Sequence, residues 1–160
     1  MSFSDDLRKA KAEEVRYMNY LESQGWDCYI SNTRQDKAGT DLFAISSSRK
    51  VYEVDVKSDS RISQTGNIGL ESHTAYDNGK PNRPGWATQA KADVIVILFR
   101  DENRAISLDP VQIADRLLDL ADRYPVKPTR RDKGKATFNI LIPITALERE
   151  GLTYKDVTWN

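Results

Sequence analysis

The sequence predicts an α/β or α+β domain built on a central mixed β-sheet flanked by helices, and three stretches carry that prediction. Residues 4–24 set Leu7, Ala10, Val15, Met18 and Leu21 near helical spacing. Residues 93–99 read Asp-Val-Ile-Val-Ile-Leu-Phe, a nearly continuous β-branched run of the kind that forms a strand covered on both faces. Residues 109–123 open on Asp109 and Pro110 and give a second amphipathic helix, with Val111, Ile113, Ala114, Leu117, Leu118 and Ala121 as its apolar face.

The remaining elements follow in order. Ser4 is placed to cap the first helix and Gly25 stops it. A short strand is expected over 26–31, then a polar loop over 32–40 containing Gly39. Strands over 41–46 and 50–57 are joined by a serine-rich connection that suits a hairpin. Residues 67–73 read as a further strand, 74–84 as a loop with glycine and proline, and 86–91 as a short helical turn. Residues 104–108 make a hairpin partner for 93–99. After the second helix come a basic loop, a strand over 137–142 and a short helix over 144–150. With no internal repeat and no linker in 160 residues, a single domain spanning 1–160 is expected.

Composition removes several chemistries. Cys28 is the single cysteine, which excludes an internal disulfide and any zinc site built on several thiolates. His73 is the single histidine, which excludes paired-histidine metal sites and two-histidine ribonuclease mechanisms. Catalysis is left to carboxylates and lysine. Lys and Arg balance Asp and Glu at 24 each, so whole-chain charge gives no support for a nucleic-acid partner. No apolar run approaches the roughly 20 residues of a membrane span, and the N-terminus lacks an apolar signal core; the expectation is a cytoplasmic protein, in a host cytosol if phage- or mobile-element-encoded.

The chemistry-bearing pattern lies at 38–57. Side chains alternate along a strand, so Glu53, Asp55 and Lys57 share one face while Val54 and Val56 take the other. Asp41 opens the preceding strand, and antiparallel pairing through the serine turn brings Asp41 and Asp55 close together. Two carboxylates so placed are costly without a cation, and hard oxygen donors favour Mg2+, with Mn2+ as a substitute. Lys57, about 7 Å along the strand from Asp55, is positioned to orient an attacking water or to stabilise phosphoryl oxygens. The alternative is an exposed strand face with an ordinary ion pair.

These residues, Ala-Gly-Thr-Asp-Leu from 38 to 42 and Glu-Val-Asp-Val-Lys from 53 to 57, resemble the PD-(D/E)xK nuclease superfamily, with Thr40 where the name-giving proline stands. The Gly-x-Asp form is similar in style to Holliday-junction resolvases and to phage or mobile-element endonucleases. The resemblance implies a restriction-endonuclease-like fold and a metal-dependent DNA endonuclease, the alternatives being an exonuclease of the same fold or an inactive DNA-binding protein. It also implies a helix glutamate completing the metal set of Asp41 and Asp55: Glu14 by position, with Glu13 as the alternative. Glu53 and Glu71 are open as further neighbours.

For the DNA itself the candidates are local. Gln64 and Asn67 follow the lysine strand and resemble phosphate-positioning residues. Lys80, Arg83 and Trp86 lie in a loop suited to a groove or an unpaired base, with Trp86 equally placed to be a core anchor. Arg130, Arg131 and Lys133 stand with Lys127 and Lys135 in a basic stretch, which is either a phosphate contact or a solvated loop. Cutting both strands calls for symmetry, so a homodimer or higher symmetric oligomer is expected.

Overall fold

The computed structural model describes residues 3–32, 34, 39–131 and 134–160. Among the described residues there are four helices and ten strands: α1 (Phe3–Ser23), β1 (Asp27–Ile30), β2 (Leu42–Ile45), β3 (Val51–Asp59), α2 (Ile62–Thr65), β4 (Asn67–Tyr76), β5 (Pro81–Pro84), α3 (Trp86–Gln89), β6 (Val94–Phe99), β7 (Arg104–Leu108), α4 (Pro110–Arg123), β8 (Val126–Arg131), β9 (Lys135–Pro143) and β10 (Tyr154–Thr158), with a 3-10 turn at Ile144–Ala146. The chain forms two compact units, one of Met1–Ser63, Lys91–Leu108 and Lys155–Asn160, the other of Gln64–Ala90 and Asp109–Tyr154. No helix among the described residues is long and apolar enough to cross a membrane.

The first unit holds the predicted mixed sheet, six strands in the order β1-β2-β3-β6-β7-β10. Its antiparallel hairpin β2–β3 joins a parallel ladder β3–β6, which runs from Val54 opposite Val94 to Asp59 opposite Phe99. Period-two alternation sends Val54 and Val56 to one face, where Leu42, Ala44, Val96, Leu98 and Ala105 join them in a core closed by Tyr17 of α1. Tyr20 and Leu21 complete the helix's contribution, and Trp159 stacks on Tyr20 at 4.8 Å between ring centroids. Val15, expected in the helix's apolar face, is exposed, because the stripe centres on Tyr17 instead. Burial and the nearby acids Glu22 and Asp27 push the Cys28 thiol up to about 11, so it stays an unreactive thiol at neutral pH.

The second unit carries a separate antiparallel sheet, β5-β4-β9-β8, that the sequence does not announce. The segment read as a loop over 74–84 is the end of β4, a turn and the edge strand β5; the segment read as a basic loop is largely the edge strand β8. Both contain prolines, which edge strands tolerate because one side of the strand makes no ladder bonds. The 144–150 segment is a 3-10 turn rather than a longer helix, and β10 was not anticipated.

Helix α4 begins as predicted. The Asp109 carboxylate accepts the Val111 amide at 3.0 Å and Pro110 follows it. Its buried stripe is Ile113, Leu117 and Leu120, while Val111 and Leu118, expected in the core, are 67% and 84% exposed. The stripe at 113, 117 and 120 turns residues 111 and 118 outward.

Glu150, buried, ties this helix to the chain that follows the 3-10 turn. Its carboxylate accepts from Tyr124 Oη at 2.6 Å, from Arg116 at 3.2 Å and from Arg123. The Tyr124 hydrogen bond first, and the two guanidinium groups with it, hold its pKa below the usual glutamate range. A depressed folded-state pKa contributes stability that is present above the unfolded value and is lost as the pH falls through the folded one. We therefore expect Glu150→Gln to lower the melting temperature most at pH 7. The gap from the parent should narrow as the pH drops below the ordinary glutamate value of about 4.3; a gap independent of pH between 7 and 3 would refute this assignment.

Gly85 is the other fixed point, because a Cβ there would meet the Glu71 carbonyl oxygen at 2.2 Å. Backbone cannot retreat as a flexible side chain can. Gly85→Ala should cost about 1–3 kcal/mol in denaturant unfolding, the usual range for overpacking.

Candidate active site and nucleic-acid surface

Register brings the two aspartates together. Leu42 pairs with Val54 and Phe43 with Glu53, so one step back along β2 places Asp41 opposite Asp55. The Asp41 amide donates to the Val54 carbonyl at 2.9 Å, and the Val56 amide donates to Asp41 Oδ2 at 2.7 Å. Residues facing each other on antiparallel strands have Cβ atoms about 5 Å apart. The Gly39 and Thr40 segment delivers the chain to this point, Gly39 with φ +95, a conformation that glycine adopts without strain.

Asp55 and Lys57 lie on the sheet face opposite the α1 core, beside Ile95 and Ile97 of the parallel neighbour β6. Asp55 is 4% exposed in that apolar setting, and Lys57 Nζ supplies the counter-charge at 2.9 Å from Oδ1. The lysine side chain itself is 37% exposed, so the pair is a buried carboxylate neutralised by a cation that reaches solvent. Glu53, on the same face, is half-buried, and its backbone amide donates to Asp93 Oδ2 at 2.9 Å.

The helix glutamates do separate things. Glu13 is buried; it pairs with Arg16 and accepts the Asp101 amide at 3.3 Å, which secures the β6–β7 turn where Asp101 takes φ 66. Glu14, whose side chain is 13% exposed, pairs with Lys11 at 3.1 Å. Among the described residues, no group of three His, Cys, Asp or Glu side chains is gathered to hold a metal ion, so Glu14 does not form a three-carboxylate cluster with Asp41 and Asp55. Glu71 is in β4 of the other sheet; β3 is flanked by β2 and β6 instead.

Of the predicted DNA contacts, Gln64 is exposed at the end of α2, and Asn67 begins β4 with its amide on Thr65 Oγ1 at 3.2 Å. Trp86 opens α3 and is half-buried. Lys80 and Arg83 are exposed on the β4–β5 turn and on β5; Arg130 and Arg131 end β8. Lys133 and Ala38 lie outside the described residues. Sequence adjacency does not show that these two basic stretches belong to one sheet and meet at one end of it. Tyr76 stands opposite Lys135, and the Asp77 amide donates to the Gly134 carbonyl at 2.9 Å. Over residues 76–84 and 126–135 there are seven Lys or Arg against two Asp, in a chain whose total is zero, so the rest of the chain carries a net charge of −5.

No family model matches the chain. No curated protein matches it either. Among solved structures, the bacterial homing endonuclease I-Ssp6803I is similar, with a TM-score of 0.52 and 16% identity over 67% of this chain and 70% of that one. The mixed sheet flanked by helices is thus an endonuclease-like fold, similar to that of this homing endonuclease.

Proposed function

We propose that the protein is a metal-dependent DNA endonuclease of the PD-(D/E)xK type, with Asp41, Asp55 and Lys57 as its working residues. The observation that carries this reading is the in-register carboxylate pair with a lysine 2.9 Å from one member, on a fold shared with a homing endonuclease. Two aspartates fit a divalent cation such as Mg2+ or Mn2+, which takes oxygen donors and needs only one or two protein carboxylates beside water and substrate phosphate. Such an ion supplies Lewis acidity at the scissile phosphate and lowers the pKa of its water. Asp41 and Asp55 would hold it. Lys57, anchored at Asp55 yet open to solvent, orients the attacking water and offsets charge on the phosphoryl oxygens.

The basic strands β5 and β8 and the turns beside them supply phosphate contacts through Lys80, Arg83, Arg130, Arg131 and Lys133, with Gln64, Asn67 and Trp86 as further candidates. Cleavage of both strands by so small a chain favours a symmetric dimer or higher oligomer. Exonuclease action on the same site is the second reading, and it is separated by product: nicked or linearised circles against shortened ends.

Purified protein should cut at least one of supercoiled, linear or four-way-junction DNA with Mg2+ and none with EDTA. Failure on all three with either Mg2+ or Mn2+ would sink the proposal. Asp55→Asn and Lys57→Met should each slow cleavage by about 10²–10³-fold, the size of one lost transition-state contact, while DNA binding persists. Full activity in either variant removes that residue from the site.

The two helix glutamates give different expectations. Glu14→Gln should leave both Mg2+-dependent cleavage and the melting temperature nearly unchanged, because Glu14 pairs with Lys11 on the helix and is not gathered with Asp41 and Asp55. Glu13→Gln should lower the melting temperature, because it loosens the β6–β7 turn, while the cleavage rate of the folded fraction holds. Reversal of the two results would reassign the roles.

A further inference from the structure

We propose that the second unit's sheet contains a slot for one unpaired nucleobase, so that the preferred substrate is DNA with a single-stranded or distorted position rather than a perfectly paired duplex. The ligand class rests on the DNA reading above, but the slot is argued from its own geometry. His73 and Phe138 are cross-strand neighbours whose rings stack at 4.8 Å between centroids and 5° between planes. Beside them, Ala75 and Ala136 face each other and leave a shallow floor; Pro128 closes one side, and the turn with Tyr76, Asp77 and Gly79 closes the other. The concavity is about 420 Å³ and open to solvent, within the range of small-ligand sites.

The aromatic wall is held rigid by a defined hydrogen-bond chain. Ser72 Oγ has one proton, and it goes to the Phe138 carbonyl at 3.1 Å. The 2.9 Å contact between Ser72 Oγ and His73 Nδ1 is then donated by the imidazole. That places a proton on Nδ1 and fixes the ring's plane against Phe138. A preorganised flat pair next to a floor of methyl groups suits a planar heterocycle that slides in and stacks.

Charge specifies what surrounds that heterocycle. Lys135 Nζ lies 5.2 Å from the Tyr76 ring centroid, so one ammonium group stands beside the Tyr76 end of the slot. That ammonium suits a phosphate next to the bound base. At the rim the charged lining group is Asp77, exposed on the turn beside Gly134, which repels phosphate and accepts hydrogen bonds from donors. Guanine's Watson–Crick edge offers two adjacent donors, N1–H and the 2-amino group, to the two carboxylate oxygens, whereas adenine and cytosine offer one amino group and thymine N3–H alone, so guanine is the favoured base.

The test uses intact protein in EDTA, which keeps cleavage out of the measurement. Three probes are compared: a thymidine oligonucleotide with one central guanine or 2-aminopurine, a duplex with the same base unpaired in a bulge, and a fully paired duplex. Binding of the first two should quench 2-aminopurine and be at least about fivefold tighter than the paired duplex; guanine should be bound better than thymine. Ala136→Leu fills the floor without removing a contact and should abolish both the quench and the preference. Asp77→Asn should erase the preference for guanine while leaving the quench. Equal affinity for paired and unpaired probes, or an unchanged quench in a folded Ala136→Leu, would overturn the slot. Cleavage without base discrimination leaves the nuclease reading standing, and discrimination without cleavage leaves the slot standing.

Discussion

Strand β3 is the constraint from which the first unit's chemistry follows. It pairs antiparallel with β2 on one side and parallel with β6 on the other, so its register is held twice. A one-residue slip would turn Val54 and Val56 out of the α1 core and Asp55 and Lys57 into it. Burying the valines therefore positions the aspartate and lysine. The same ladder sets Asp41 opposite Asp55, and the Val56 amide bonded to Asp41 Oδ2 extends the pairing past the end of β2.

Asp55 shows what kind of position this is. An ionisable side chain beside Ile95 and Ile97 has lost most of its water, and removing the single partner of a buried charge commonly costs about 3–5 kcal/mol. Lys57 meets that requirement from two residues away while its side chain stays partly in solvent. The carboxylate of the pair is buried and its cationic half remains open to solvent. Glu13 provides a contrast: equally buried, it spends both oxygens on Arg16 and on a backbone amide in the β6–β7 turn, a structural use that leaves little for chemistry.

The sequence made the first unit legible because its signals are local. Alternation in 50–57, the apolar run at 93–99 and the Gly25 stop each depend on a few adjacent residues, and the mixed sheet follows from them. The second sheet was illegible for the opposite reason. Its edge strands β5 and β8 contain Pro81, Pro84 and Pro128 and hardly any buried apolar side chain, so 74–84 and the stretch after α4 read as loops. They are strands only because β4 and β9 supply the central ladder. The helix faces failed more narrowly: Val111, Leu118 and Val15 are apolar at near-helical spacing, and only packing shows which of two adjacent stripes is buried.

The same difference separates the two groups of candidate functional residues. Asp41, Asp55 and Lys57 are recoverable from sequence because two of them share a strand and the third is one hairpin away. The stacked pair His73 and Phe138 is 65 residues apart, and no periodicity links them. His73 alone reads as a surface residue, and Phe138 as one apolar position in a strand. The β4–β9 register, shifted by a bulge between Glu71 and His73, is what places them face to face. A bulge changes which side chains share a face on either side of it. In β4 it lets Ile68 and Leu70 stay buried while His73 and Ala75 line the open concavity with Phe138 and Ala136. A chain with zero net charge can thus still present a concentrated basic, aromatic surface, because the sheet collects onto one element what the sequence spreads over sixty residues.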